Sequence, residues 1–293
     1  MRVTQSMLTN NMLRNLSSSY ERLGKYQEQL NTQKKITKPS DDPVVAIKGM
    51  RYRTDLKEIE QYQRNLSEAY TWMESSDDAM DKMTQALHRV RELTVQASTG
   101  TNGADEKANI AIEIEQLKEH IATIANTKVG NKYLFNGTNT SEGPVDPTTN
   151  SIVSANNKDV FLEVSKNVQM NVNVKPTELF KGNNANDIFT ELDNLIQDLN
   201  SNGDVGKYLD TIDSHTSNVV ATRADLGARY NRIELIDNRL GSQEVIATKI
   251  ISENEDAEME KVIINLTTAE AVHRAALGVG AKIMQPTLMD FLR

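Results

Sequence analysis

The chain has 293 residues, of which 38% are hydrophobic and 5% aromatic, with six prolines, no cysteine and a formal net charge of −8. So lean an apolar fraction suits elongated helical packing, in which a narrow buried stripe replaces a thick core. The lack of cysteine excludes a disulfide framework, a thiolate metal site and thiol catalysis, and no stretch approaches the roughly 18–20 consecutive apolar residues of a membrane span.

The charge is unevenly placed. Residues 1–39 hold seven Lys/Arg against Glu21 and Glu28, +5, which leaves −13 for the remainder. A basic amphipathic arm can touch nucleic acid or membrane, but the acidic run Glu253, Glu255, Asp256, Glu258, Glu260 offers a surface of the chain's own, and we expect the arm to face it. The opening MRVTQSMLTNNMLRNLSSSY is amphipathic without a continuous apolar core, so it does not read as a cleaved secretory signal.

Leu13, Leu16, Tyr20, Leu23 and Leu30 recur at heptad-compatible spacing and predict an N-terminal helix that stops before Lys38-Pro39. Ser40-Asp41-Asp42-Pro43 then reads as a turn into a new helix, with Asp42 as N-cap and Pro43 at the first helical position. From about 46 to 97, Tyr52, Ile59, Leu66, Met73, Met80, Leu87 and Thr94 fall seven apart. A second row, Tyr62, Ala69, Met83, Val90 and Ala97, accompanies them and marks a coiled-coil-like helix, with Ser76 and Asp77 as a candidate register shift. After a break at Thr99–Gly103, Ile110, Ile114, Leu117, Ile121 and Ile124 predict a returning helix.

The period changes between about 131 and 180. Val160, Leu162, Val164 and Val168, Met170, Val172, Val174 alternate with polar residues, and Asn136-Gly137 is a hairpin-turn dipeptide, so a small β-rich insertion is expected. Helical spacing resumes with Ile188, Leu192, Leu195 and Leu199. A second long helix follows, with Ile212, Val219, Leu226, Ile233, Leu240 and Ala247 seven apart. The last segment carries a thin seam of Ala269, Val272, Ala276, Val279 and Ile283, then the apolar cluster Leu288, Met289, Phe291, Leu292. The expected fold is mainly α: an elongated rod of long antiparallel coiled-coil-like helices with paired terminal helices and a small β-rich insertion. Its expected parts are a terminal helix over 1–43, rod over 44–130, insertion over 131–186, rod over 187–265 and a terminal helix over 266–293.

Catalytic signals are sparse. His88, His120, His215 and His273 lie in separate segments with no metal-ligand spacing. Phosphate-loop motifs are absent, and adjacent acids such as Asp77-Asp78 and Glu255-Asp256 diverge by about 100° on a helix instead of converging on a cation. Neither a metal nor a cofactor is expected, and no catalytic residue is assigned.

Two long motifs carry a resemblance. The run from Gln29-Leu30 through Lys35-Ile36 to Lys38-Pro39-Ser40-Asp41-Asp42-Pro43 resembles the N-terminal signature of the flagellin superfamily, and Arg223 through Glu234 (RADLGARYNRIE) resembles its C-terminal signature. Within that superfamily, Lys132–Thr138 (KYLFNGT) and the ending Leu288–Arg293 are similar to the branch at the junction of hook and filament, with filament flagellin as the alternative. A cytosolic coiled-coil scaffold is the reading from another class.

The resemblance implies a structural, non-enzymatic subunit of the extracellular flagellum, exported through the type III channel without a cleaved signal peptide. Its implied partners are copies of itself, an adjacent hook-associated protein, flagellin and an export chaperone, with neither nucleic acid nor membrane insertion. The expected assembly interface is Leu13, Leu16, Tyr20, Leu23 and Leu30 with Val272, Ala276, Val279, Ile283, Leu288, Phe291 and Leu292. Large side chains of the first helix face small ones of the last.

Overall fold

The structure is a computed structural model and describes residues 5–99, 103–153, 156–182 and 184–283. The elements in chain order are α1 (Gln5–Thr32), α2 (Pro43–Ser98), α3 (Ala104–Ala125), β1 (Lys128–Val129), β2 (Lys132–Tyr133), β3 (Phe161–Ser165), β4 (Val168–Asn171), α4 (Pro176–Phe180), α5 (Ile188–Asn200), α6 (Tyr208–Glu255) and α7 (Met259–Ile283). They are mainly helical, as the periodicity predicts. The chain forms two compact units, residues 59–242 and residues 1–58 with 243–293.

Within 59–242, both predicted heptad rows of α2 are buried. Leu66, Met73, Met80 and Leu87 form one, and Ala69, Met83, Val90 and Ala97 belong to the other. A third row, Trp72, Ala79, Ala86 and Leu93, is buried as well, so a broad face of the helix is covered. Ser76 marks no register shift. It occupies the second row at 0% exposure, and its hydroxyl donates to the Trp72 carbonyl at 2.8 Å, so a polar side chain continues the seam without an orphaned group.

Facing α2, α6 buries Ile212, Val219, Leu226, Ile233 and Leu240, the predicted row. Arg91 to Asp213 at 2.6 Å, Arg223 to Asp77 at 2.6 Å and Tyr230 to Glu74 at 3.1 Å show the two helices running antiparallel. On α3, Ile110, Ile114, Ile121 and Ile124 are buried, and Arg89 of α2 reaches Glu113 at 2.7 Å, as a helical hairpin requires. Asp187 caps α5 by accepting from Phe189 N and Thr190 N, both at 3.0 Å.

The insertion holds two two-stranded antiparallel sheets, β1-β2 and β3-β4. Phe161 pairs with Asn171 and Leu162 with Met170, the alternating segments predicted to be strands. Asn136-Gly137 joins no strands. The strand turns lie at Gly130-Asn131 and Lys166-Asn167, while Asn136 is fully buried and its side chain donates to the Glu142 carbonyl at 2.9 Å. The short helix α4 was not expected. It delivers Phe180 between Phe135 and Phe189, with ring centroids at 6.3 and 5.7 Å, and this cluster ties the insertion to α5.

Candidate assembly surface

In the unit formed by the two ends of the chain, α1 and α7 pack together. Three contacts fix an antiparallel register. A Cβ on Gly280 would meet Met12 Cε at 2.8 Å, the Tyr20 and His273 rings lie 6.0 Å apart, and Lys34 bridges to Asp256. The covered positions include Met12, Leu16, Ser19, Leu23, Tyr26 and Leu30 on α1 and Val262, Leu266, Ala269, His273, Ala276 and Gly280 on α7. Both sets follow 4-3-4-3-4 spacing, the signature of a coiled-coil seam. The register sets Leu16 level with Ala276, Leu23 with Ala269 and Met12 with Gly280, which places large side chains opposite small ones.

The predicted interface residues divide between two faces. Leu16, Leu23, Leu30 and Ala276 lie on the seam, whereas Leu13, Tyr20, Val272 and Val279 are exposed, at 52%, 69%, 51% and 53%. The Ile283 side chain and residues Leu288, Phe291 and Leu292 lie outside the described part. The seam is displaced from the apolar-only reading because Ser19, His273 and Gly280 occupy positions that hydropathy does not mark. Met7, Leu8, Ile263, Ile264 and Leu277 join the exposed set, so both helices present uncovered apolar side chains beside a thin seam.

The N-terminal signature motif builds the surroundings of this pair. Asp41 Oδ2 accepts from Thr37 N at 3.3 Å and Lys38 N at 3.1 Å, and these bonds, Lys38 first, hold its carboxyl below the usual carboxylate range. Asp42 Oδ1 accepts from Val44 N and Val45 N at 3.0 and 3.1 Å, the predicted N-cap ahead of Pro43. Of the basic arm, Lys34 meets Asp256 at 2.5 Å and Lys35 Nζ donates to the Glu253 carbonyl at 2.6 Å. Part of that arm does therefore face the chain's own acidic run.

The C-terminal signature acts as bracing within 59–242. Arg223 holds Asp77 through two nitrogens, at 2.6 and 3.0 Å, and Asp81 at 2.5 Å, which raises its pKa further above the ordinary guanidinium value. Tyr230 packs edge-on against Tyr70 with centroids 5.1 Å apart, and burial, then the nearby Asp237, pushes the Tyr70 hydroxyl up to about 12. Arg223 thus takes up the carboxylates of Asp77 and Asp81 in bracing. Among the described residues no group of three or more His, Cys, Asp or Glu is placed to hold a metal ion.

The family defined by the bacterial flagellin N-terminal helical region matches residues 3–140. Flagellar hook-associated protein 3 of Escherichia coli is 24% identical over 94% of this chain and 96% of its own length. The flagellin of Bacillus subtilis is 27% identical over 97% of each. A putative flagellar hook-associated protein from Vibrio parahaemolyticus, known as a solved structure, shares the fold with a TM-score of 0.69 at 22% identity, covering 74% of this chain and all of that one. With both signature motifs placed as structural parts of the helical units, residues 3–140 belong to the flagellin N-terminal family, and the chain over nearly its whole length is similar to members of the flagellin superfamily.

Proposed function

We propose that this chain is the structural subunit that joins the flagellar hook, through an adjacent hook-associated protein, to the flagellin filament. It works by subunit–subunit packing without catalysis. The observation that carries the reading is the uncovered apolar face of α1 and α7. Large side chains such as Leu13, Tyr20, Ile264 and Val272 stand in solvent on helices whose mutual seam is too thin to cover them, and neighbouring subunits supply the cover. Near full-length similarity to hook-associated protein 3 supports the junction role over other parts of the flagellum. The resemblance to the flagellin superfamily implies export before assembly, with a chaperone shielding the terminal faces, and the exposed surface supports that reading.

The similarity to Bacillus subtilis flagellin over 97% of the chain favours one second reading, a filament subunit. Deleting the gene separates the two. A junction subunit leaves completed hooks and flagellin secreted unpolymerised into the medium. A filament subunit leaves hooks with no bulk flagellin at all. Normal filaments in the deletion strain would refute both.

A further inference from the structure

The two connectors that lead into the terminal helices are fastened to each other. Lys35 N donates to the Glu255 carbonyl at 2.6 Å and Ala257 N to the Gln33 carbonyl at 2.9 Å, a two-bond antiparallel bridge between the end of α1 and the start of α7. Gln29 Nε2 donates to the Lys35 carbonyl at 2.7 Å, and Asn254 Nδ2 to the Val45 carbonyl at 3.1 Å. At the centre lies the Glu255 side chain, 7% exposed, bonded to Arg53 of α2 with Lys34 at 3.7 Å. It rests on Gly49, where an added Cβ would meet Glu255 Oε1, so a side chain at that position would force the carboxylate to shift.

We propose that this arrangement is a clasp that sets the register of α1 against α7, so that the two terminal helices pair as one unit only while Glu255 is held between Arg53 and Lys34. The pair needs such a device. Its seam sets half-buried leucines opposite alanines and Met12 opposite Gly280, little apolar area for 28- and 25-residue helices that are marginal in water by themselves. Closing the connectors fixes one end of both helices and removes most of the search for register. A buried carboxylate suits the task because it tolerates no misplacement: displaced from Arg53 and Lys34, it is an uncompensated charge. The inference deepens the assembly reading, since a register fixed before polymerisation determines which apolar side chains face outward. Its test does not require polymerisation, so it can fail while the junction reading stands.

The test uses the full chain as a monomer, with nitroxide labels on Lys25→Cys and Thr267→Cys, two exposed positions that the register sets level, in a protein with no native cysteine. Dipolar electron resonance should give one narrow distance with the clasp intact. Glu255→Gln and Gly49→Val should each remove at least half of that narrow population, while the urea midpoint of residues 59–242 stays unchanged. Glu253→Gln, whose carboxylate lies outside the clasp, should change nothing. The proposal is overturned if the distance is broad with the clasp intact, if it stays narrow in Glu255→Gln and Gly49→Val, if Glu253→Gln broadens it equally, or if either clasp variant lowers the midpoint of 59–242.

Discussion

Two apolar residues on one turn of α6 should behave in opposite ways. Ile233 is 0% exposed in the heptad row against α2, and Leu235 is 72% exposed. Ile233→Ala deletes three buried carbon groups at about 0.8 kcal/mol each and leaves a cavity that raises the total to about 3–4 kcal/mol. With a urea dependence of about 2–3 kcal/mol/M for a unit of this size, the midpoint should fall by more than about 1 M. Leu235→Ala removes the same bulk from solvent and should move the midpoint by the equivalent of about 0.5 kcal/mol or less. Unfolding followed by far-ultraviolet circular dichroism at 222 nm reads both. Equal midpoints for the two variants would show that the row through Ile212, Val219, Leu226 and Ile233 is not the core of the unit.

Three further outcomes follow from local chemistry. His215 is 2% exposed, and burial is the main cause that lowers its pKa below the usual 6.5, partly opposed by Glu191 and Asp187. Because its folded pKa lies below its unfolded one, its contribution is complete above about pH 6.5 and is lost as pH falls from there towards the folded value. His215→Asn should therefore shrink the fall in urea midpoint between pH 7 and pH 5, and an identical fall in both proteins would count against this. Gly137→Ala should destabilise residues 59–242 by more than 1 kcal/mol, roughly, since Gly137 has φ +54° and a Cβ there would lie 2.1 Å from the Asn156 carbonyl oxygen; an unchanged thermal midpoint would contradict it. Asp42→Ala should cost about 1 kcal/mol at the start of α2 and speed amide exchange at Val44 and Val45, whereas unaltered exchange would show that water replaces the cap.

The legible parts of the fold are those whose signal is local or strictly periodic. Leu66, Met73, Met80 and Leu87 on α2, and Val219, Leu226, Ile233 and Leu240 on α6, repeat every seven residues and lie where the repeat places them. The Asp42 cap was legible because the cap and the two amides it satisfies lie within three residues. The third row of α2 was not, because Ala79 and Ala86 carry little hydropathy and the row matters only when several elements surround the helix. Asn136-Gly137 misled for a related reason. The dipeptide specifies a turn, but what the turn joins depends on contacts as distant as Asn156 N, which donates to Asn136 Oδ1 at 3.2 Å. Glu255 and Arg53, 202 residues apart, have no sequence signature at all.

The candidate interface shows how an apolar pattern can hold two functions. A scan for apolar residues on α1 collects Leu13, Leu16, Tyr20, Leu23 and Leu30 into one stripe, yet the helix turns Leu16, Leu23 and Leu30 towards α7 and leaves Leu13 and Tyr20 outside. Inner and outer faces therefore make separable predictions. Leu16→Asp with Leu23→Asp places two unpaired carboxylates in the seam, which is costly enough to part α1 from α7 in the monomer. Met7→Asp with Leu13→Asp places them in water, so the monomer keeps its narrow label distance, and the cost of several kcal/mol per copy arises only when a neighbour covers the face. Neither double variant should restore motility to a deletion strain, and only the inner one should alter the monomer. If Met7→Asp with Leu13→Asp swims normally, the exposed face of α1 is no assembly surface, and the packing mechanism proposed for it fails.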